Sequence, residues 1–336
     1  MNRYYALLSG EHPCMPHAEL QAILDVEAEH YRVLLSLDGA DIFEASIENP
    51  RIVAERSGWV KEVGLLYSVV EADEDEILEA ARAIVERAGP PRRVEYRRYR
   101  QYAPHIDDKN LKLSLRVLED PRGSYVLRVF ISEGAAIIGR VLGRLDTRAL
   151  HYRRPGFRPF FRPGPLMPQV TRAMINLARL RRGDVFVDPF CGTGGFPLEA
   201  CMIGASRCYC ADVNGAMVRG SRTNLEHYGL EHKSLSIAAS ATSIPIRDES
   251  LRSIATDPPY GRSTSPGRRG YRHLVSSFLR EAMRVLAPGG YVVFAGPLGE
   301  EPHDLAGNAG FRIEARFHMH VHSTLVREVV VARKPG

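Results

Sequence analysis

The sequence predicts an α/β protein in two parts: an α+β first half, then a mostly parallel seven-stranded sheet flanked by helices. Three observations carry this. From Pro165 onward, short apolar runs alternate with segments of helical period, the pattern of strand–helix–strand units in a parallel sheet. Residues 1–72 read strand, helix, strand, strand, helix, strand, the order of a ferredoxin-like unit. Two corners rich in glycine or proline, at 188–195 and 257–261, each follow an apolar strand, where open parallel sheets bind their ligands.

Residues 3–9 alternate like a strand, and 17–27 place Ala18, Leu20, Ile23, Leu24 and Val26 at near-helical spacing. Residues 31–37 and 41–46 form a hairpin across Asp38-Gly39. A helix capped by Asn49, with Pro50 in its first turn, is expected over 49–57, and a strand over 63–70. Residues 74–88 begin acidic and stop at Gly89-Pro90, a helix with both end signals. Residues 92–100 (RRVEYRRYR) alternate arginine with valine or tyrosine, 125–132 read as a buried strand, and 135–145 has no assigned type. Prolines exclude regular helix from 152–164 (YRRPGFRPFFRPG), which is taken as a linker. Beyond it come a helix at 169–180 and strands at 184–189, 207–213, 235–239, 253–257 and 291–295. Helices at 197–203, 216–228 and 271–286 separate several of them. Residues 312–322 and 325–332 have no room for a helix between them and must pair antiparallel. The expected domains are 1–72, 73–151, the linker 152–164, and 165–336.

The 336 residues are 44% hydrophobic and 25% charged, which excludes low-complexity and collagen-like chains. No window approaches the roughly 18 apolar residues of a membrane span, and the first residues lack a signal-peptide pattern, so a cytoplasmic protein is expected. Five cysteines do not read as a secreted disulfide framework. The net charge of +5 conceals a strong division. Residues 1–91 carry 7 Lys+Arg against 18 Asp+Glu, residues 92–183 carry 21 against 7, and 184–336 carry 17 against 15. A basic excess concentrated in the middle third attracts polyanions, and arginine matches phosphate with a two-pronged fork. Nucleic acid is the expected partner.

The chemistry sits at the two corners. Asp188-Pro189-Phe190-Cys191-Gly192-Thr193-Gly194-Gly195 turns from strand to helix, with glycines that let backbone approach a ligand closely. A dinucleotide fingerprint would need glycine where Pro197 stands, and no P-loop pattern follows any strand. Asp212, followed by Val213, ends the next strand, where an acid accepts hydrogen bonds from ribose hydroxyls; capping the following helix is the alternative role. Asp257-Pro258-Pro259-Tyr260-Gly261 is the most specific element. Each proline stiffens the chain leaving the strand, so Asp257 and a following carbonyl present two acceptors at fixed positions. A planar exocyclic amine, with its two N–H donors, fits between them. Tyr260 offers a face on which a base can stack.

DPFCGTGG, Asp212 and DPPYG resemble the class I S-adenosylmethionine-dependent amino-methyltransferases. The segment HYRRPGFRPFFRPGPLMPQVTRAMINLA and the run DPPYGRST resemble more particularly the archaeal THUMP-domain tRNA guanine-N2-methyltransferases, which modify guanosine 10. The resemblance is strong over 151–265 and fainter over the final strands (HVHSTLVREVVVARK) and the N-terminal half. It implies a class I methyltransferase domain preceded by ferredoxin-like and THUMP RNA-binding domains, S-adenosylmethionine as cofactor, no metal, and tRNA as partner. A small activating subunit, which eukaryotic relatives need, is a further candidate partner. It implies that Pro165, Leu166 and Asp188–Gly195 hold the methionine part, Asp212 and Val213 the ribose, and Asp257, Pro258, Pro259 and Tyr260 the target base. Family members carry an acid facing the adenine amine where this chain has Ser240-Ala241-Thr242; a serine hydroxyl or a main-chain carbonyl is expected to take that bond. RNA backbone contacts are expected from Arg92, Arg93, Arg97, Arg98 and Arg100, and from Arg153, Arg154, Arg158 and Arg162. Residues 262–273 are expected to form a mobile loop over the substrate. Competing readings are a THUMP methyltransferase for another tRNA position or ribosomal RNA, a DNA adenine-N6 methyltransferase, and a non-catalytic RNA-binding protein.

His318, His320 and His322 share one strand face, and Cys201, Cys208 and Cys210 cluster similarly. Neither has the ligand set of a zinc site, and both are expected to be structural.

Overall fold

The computed structural model describes residues 1–260, 268–322 and 325–336. It divides into two compact units, Met1–Leu145 and Asp146–Gly336, each built on its own sheet.

The first unit runs β1 (Asn2–Leu8), α1 (Met15–Glu27), β2 (His30–Leu37), β3 (Ala40–Ser46), α2 (Ile52–Glu55), β4 (Val60–Glu71), α3 (Glu74–Ala88), β5 (Arg93–Arg98), α4 (Asp108–Arg116), β6 (Val126–Ser132) and β7 (Ala135–Arg144). Its sheet has the order β2-β3-β1-β4-β7-β6-β5. The first four strands pair antiparallel in the ferredoxin-like arrangement. Strand β4 is long enough to pair with β1 on one side and β7 on the other, so a single sheet runs through residue 72. The unassigned 135–145 stretch is β7. It follows β6 through Glu133-Gly134, both at positive φ (46° and 79°), the tight turn that suits twisted hairpins. Helix α3 starts on Asp73, whose carboxylate accepts from the backbone N–H of Asp75 and Glu76, and it stops at Gly89 with φ 77°. Tyr5 is fully buried in the sheet; Gly64 and Gly139 make room for it, since a Cβ at either would overlap its ring.

The second unit runs α5 (Thr147–Tyr152), α6 (Pro168–Leu177), β8 (Val185–Asp188), α7 (Gly195–Met202), β9 (Arg207–Asp212), α8 (Gly215–His227), β10 (Ser234–Ala238), β11 (Leu251–Thr256), α9 (Arg268–Val285), β12 (Leu286–Pro297), α10 (Pro302–Asn308), β13 (Arg312–His322) and β14 (Leu325–Arg333). The order is β10-β9-β8-β11-β12-β14-β13. The first five are parallel, and β14 lies antiparallel between β12 and β13. Strand order reverses at β8, which pairs with β9 on one side and β11 on the other, and this opens a crevice beyond its carboxyl end. Helix α9 buries Val275, Phe278, Leu279, Ala282 and Val285 at helical spacing against Ile254, Val292 and Phe294 of the sheet.

The 152–164 segment is part of this unit. Phe160 N donates to Asn224 Oδ1 at 2.8 Å, and Asn224 Nδ2 returns bonds to the carbonyls of Phe160 and Thr193 at 2.9 Å each. Asn224 thus stitches the proline-rich strap to the glycine turn. Of the loop expected at 262–273, residues 262–267 lie outside the described residues, and 268–273 form the first turns of α9. Cys201 of α7 and Cys208 of β9 are joined by a disulfide.

Candidate active site

Strand β8 delivers Asp188 into the crevice almost wholly buried, at 1% exposure. Its Oδ1 accepts from Thr256 Oγ1 at 2.5 Å and from Phe190 N at 3.1 Å, while Oδ2 is buried with no partner. Burial pushes this carboxyl up to about 7, against the opposing effect of those two hydrogen bonds. The next residues turn tightly: Gly194 N donates to Cys191 O, with Gly192 and Gly194 at φ 50° and 83°. Asp212, at the end of β9, accepts from Gly192 N at 3.0 Å and from Asn214 N at 2.8 Å. The cap of α8 is Asn214, whose side chain accepts from Ala216 N. Asp212 therefore braces the glycine turn rather than capping the helix.

The second corner follows β11. The Asp257 side chain is 17% exposed, and its Oδ1 accepts a hydrogen bond from the Tyr260 hydroxyl. Arg327 of β14 donates from Nε to that same hydroxyl at 2.7 Å and brings Nη2 to 3.6 Å from Asp257 Oδ2. Burial raises Asp257 above the usual carboxylate range, and the Arg327 charge and the Tyr260 hydrogen bond pull it back. One face of the Tyr260 ring carries the Arg327 guanidinium at 5.4 Å, and its neighbour Tyr271 stands edge-on at 6.2 Å.

A cavity of about 520 Å³ joins the two corners, within the range of small-molecule sites. Of the residues singled out from sequence, Pro165, Leu166, Asp188–Thr193, Gly195, Asp212, Val213, Ser240, Ala241, Asp257 and Pro259 line it. Gly194, Pro258, Tyr260 and Thr242 are not on the lining; the Thr242 hydroxyl bonds that of Ser240 at 2.8 Å, and the Tyr260 ring, expected to stack on a base, lies against Arg327 instead. Sequence reasoning missed Thr171, Phe196, Met217, Tyr271 and Leu274 on the lining, and Arg327 behind it. Helical spacing marks the first five only as helix-face residues, Arg327 sits on a strand, and nothing local in the sequence aims any of them at the crevice. The donor set fits S-adenosylmethionine: a buried carboxylate oxygen at Asp188 for an ammonium, Asp212 for a ribose diol, and Leu166, Phe196 and Met217 for apolar contact.

The arginines divide. Arg92, Arg93, Arg97 and Arg100 are exposed, with Arg100 paired to Asp38 at 2.7 Å. Arg98 folds back to Asp108 and to Ala103 O. Arg153 and Arg158 are not available to RNA, which corrects the expectation for both. Arg153 is 8% exposed and donates twice to Glu199, itself 0% exposed and also bonded to Arg172. Arg158 is 4% exposed, donates to Arg153 O, and lies against Gly195. A guanidinium that neutralises a buried carboxylate leaves an uncompensated charge if withdrawn. Arg154 is half-buried, and Arg162 is exposed at the mouth of the cavity. His318 and His320 are exposed, and among the described residues no group of three or more His, Cys, Asp and Glu is placed to hold a metal ion. No helix among them is long and apolar enough to cross a membrane.

The sheet order, the glycine turn and the DPPY corner on one cavity define a class I methyltransferase. A family model described as RMKL-like, methyltransferase domain, matches residues 155–328. The chain is 31% identical to a Methanothermobacter thermautotrophicus protein named tRNA (guanine(10)-N2)-dimethyltransferase, over 98% of both chains. It is 28% identical to a Methanocaldococcus jannaschii protein of the same name, over 98% of this chain and 99% of the other. The crystal structure of TrmN from Thermus thermophilus shares the fold at a TM-score of 0.55, with 20% identity over 99% of both chains. The chain belongs to the RMKL-like methyltransferase family. It is an enzyme, and S-adenosylmethionine is its methyl donor.

Proposed function

We propose that this enzyme methylates the exocyclic N2 of guanosine at position 10 of tRNA, in the cytoplasm. The observation that carries the reading is the Asp257 carboxylate opening onto the same cavity as Asp188 and Asp212. The names of the full-length relatives support the substrate, the position and a second transfer to the same nitrogen.

S-adenosylmethionine supplies an electrophilic methyl group on a sulfonium leaving group. The Asp188 carboxylate and the 188–195 turn would hold its amino-acid end, Asp212 its ribose, and Ser240 or Ala241 the adenine side. Asp257 accepts one N–H of the base amine, and a carbonyl of the corner accepts the other, which aims the nitrogen lone pair at the methyl group. Alignment of this kind contributes on the order of several kcal/mol. The amine becomes acidic as the new bond forms, and Asp257 takes its proton. Tyr271 gives the cavity an aromatic wall for the base, and Tyr260 packs edge-on against it from outside the lining.

A guanosine in a stem must be flipped out, at a cost of about a few kcal/mol. Contacts away from the base offset it. Residues 1–72 and 73–151, as ferredoxin-like and THUMP parts, would grip the RNA through exposed Arg92, Arg93, Arg97 and Arg100, and the second unit would add Arg154 and Arg162. Asp257→Ala tests the reading: methyl transfer to unmodified tRNA is expected to vanish while S-adenosylmethionine affinity is kept. Near-normal turnover by this variant would remove Asp257 from the mechanism.

A further inference from the structure

We infer that Arg327, on the penultimate position of the family match and outside both sequence motifs, is a positioning residue for methyl transfer that fixes which oxygen of Asp257 meets the substrate amine. The inference rests on the reading of Asp257 given above. Arg327 is 9% exposed, and its Nε and Nη2 face Tyr260 and Asp257. It is not on the cavity lining, so it acts through those two residues.

The direction of the hydrogen-bond chain follows from chemistry. A guanidinium has donors and no acceptor, so at the Arg327–Tyr260 contact the tyrosine oxygen must accept. The one hydroxyl proton of Tyr260 is then free to point only onward, to Asp257 Oδ1. That oxygen is engaged, and Oδ2 is the oxygen left to receive the amine. Without the guanidinium, the tyrosine hydroxyl can rotate and Asp257 can turn either oxygen toward the cavity. Among the described residues, Arg327 also brings a cation to Asp257. Among the described residues, the other titratable groups coupled to Asp257 are Tyr260 from its own corner, Tyr271 from α9 and Asp188 from β8, and none of these three is cationic. Two aligned contributions result: a fixed acceptor geometry and a positive charge that opposes the upward push of burial on the carboxyl.

The test uses the full-length enzyme, unmodified tRNA and S-adenosylmethionine, with Arg327→Met, Arg327→Lys, Tyr260→Phe and the double variant Arg327→Met/Tyr260→Phe. Asp257→Asn is the control for the underlying reading. In Arg327→Met, kcat is expected to fall about 100-fold, the effect typical of misplacing a reacting group by about an ångström. S-adenosylmethionine affinity should stay within about twofold, because the arginine lies off the lining. The acid limb of the kcat profile should move up by about one pH unit or more, the usual influence of a cation beside a carboxylate. Arg327→Lys should return the acid limb toward its original place, since it restores charge, while recovering only part of kcat. The double variant should lose little more than Arg327→Met alone, as groups acting through one chain are not additive. The inference is overturned if Asp257→Asn is inactive yet Arg327→Met, or Arg327→Lys should the methionine variant not fold, keeps wild-type kcat and an unshifted acid limb. If Asp257→Asn itself turns over normally, the reading of Asp257 fails instead.

Discussion

Replacing Asp188 with asparagine should stabilise the protein at neutral and alkaline pH. The carboxyl is buried, one of its oxygens has no partner, and burial lifts it from an ordinary 3.8 to about 7. Between those two values the folded state holds a proton that the unfolded state releases, so stability falls as pH rises across the window and the full penalty is present above pH 7. A displacement of that size corresponds to at most on the order of 4 kcal/mol. Asparagine keeps an oxygen to accept from Thr256 and Phe190 and carries no charge to desolvate. The assay is calorimetric unfolding of both proteins at pH 5, 6, 7 and 8. Fluorescence is the wrong probe, because the sole tryptophan, Trp59, lies in the first unit. The variant's advantage should grow from pH 5 to pH 7 and then level off. A ligand bringing an ammonium to Asp188 should reverse the picture, with S-adenosylhomocysteine binding strengthening through pH 7 in the wild type and not in the variant. A stability difference that ignores pH, or an asparagine variant less stable at pH 8, would refute the burial argument.

Glu199→Gln removes the charge shared by Arg153 and Arg172 in a fully buried setting. It should cost about 3–5 kcal/mol in denaturant unfolding, as for other broken buried ion pairs. On the first unit, Arg92→Glu/Arg93→Glu/Arg97→Glu should weaken tRNA binding at all sequences and flatten its salt dependence, by roughly one counterion per lost phosphate contact. A gel-shift salt titration reads this, and melting behaviour should be unchanged because all three side chains are exposed.

What was legible in the sequence is what short-range pattern encodes. The parallel strands alternate with helices, an acidic first turn and Gly89 bracket α3, and the two corners lie at strand ends, so the carboxylates at 188, 212 and 257 converge on one cavity. Two kinds of feature were not legible. The first is partnership over long sequence distance: Arg327 lies 67 residues from Tyr260, and nothing in REVVVARK distinguishes it from a solvated strand residue. The second is burial of charge. Arg153 and Arg158 sit in a run of arginines whose composition suggests a phosphate-binding face, but Glu199, hidden in an apolar helix, draws Arg153 inward, and the glycine turn receives Arg158. The continuous sheet of the first unit was likewise obscured, because only pairing reveals that β4 serves both of its halves.

In the proposed reaction, the corner at Asp257 presents the amine of a flipped guanine to the methyl donor. The most direct measurement incubates the enzyme with unmodified tRNA and S-adenosylmethionine and maps the modified nucleoside by mass spectrometry. N2-methylguanosine or N2,N2-dimethylguanosine at position 10 is the predicted product. Methyl transfer to adenine N6 in DNA, or cofactor binding with no methylated RNA, would contradict the account.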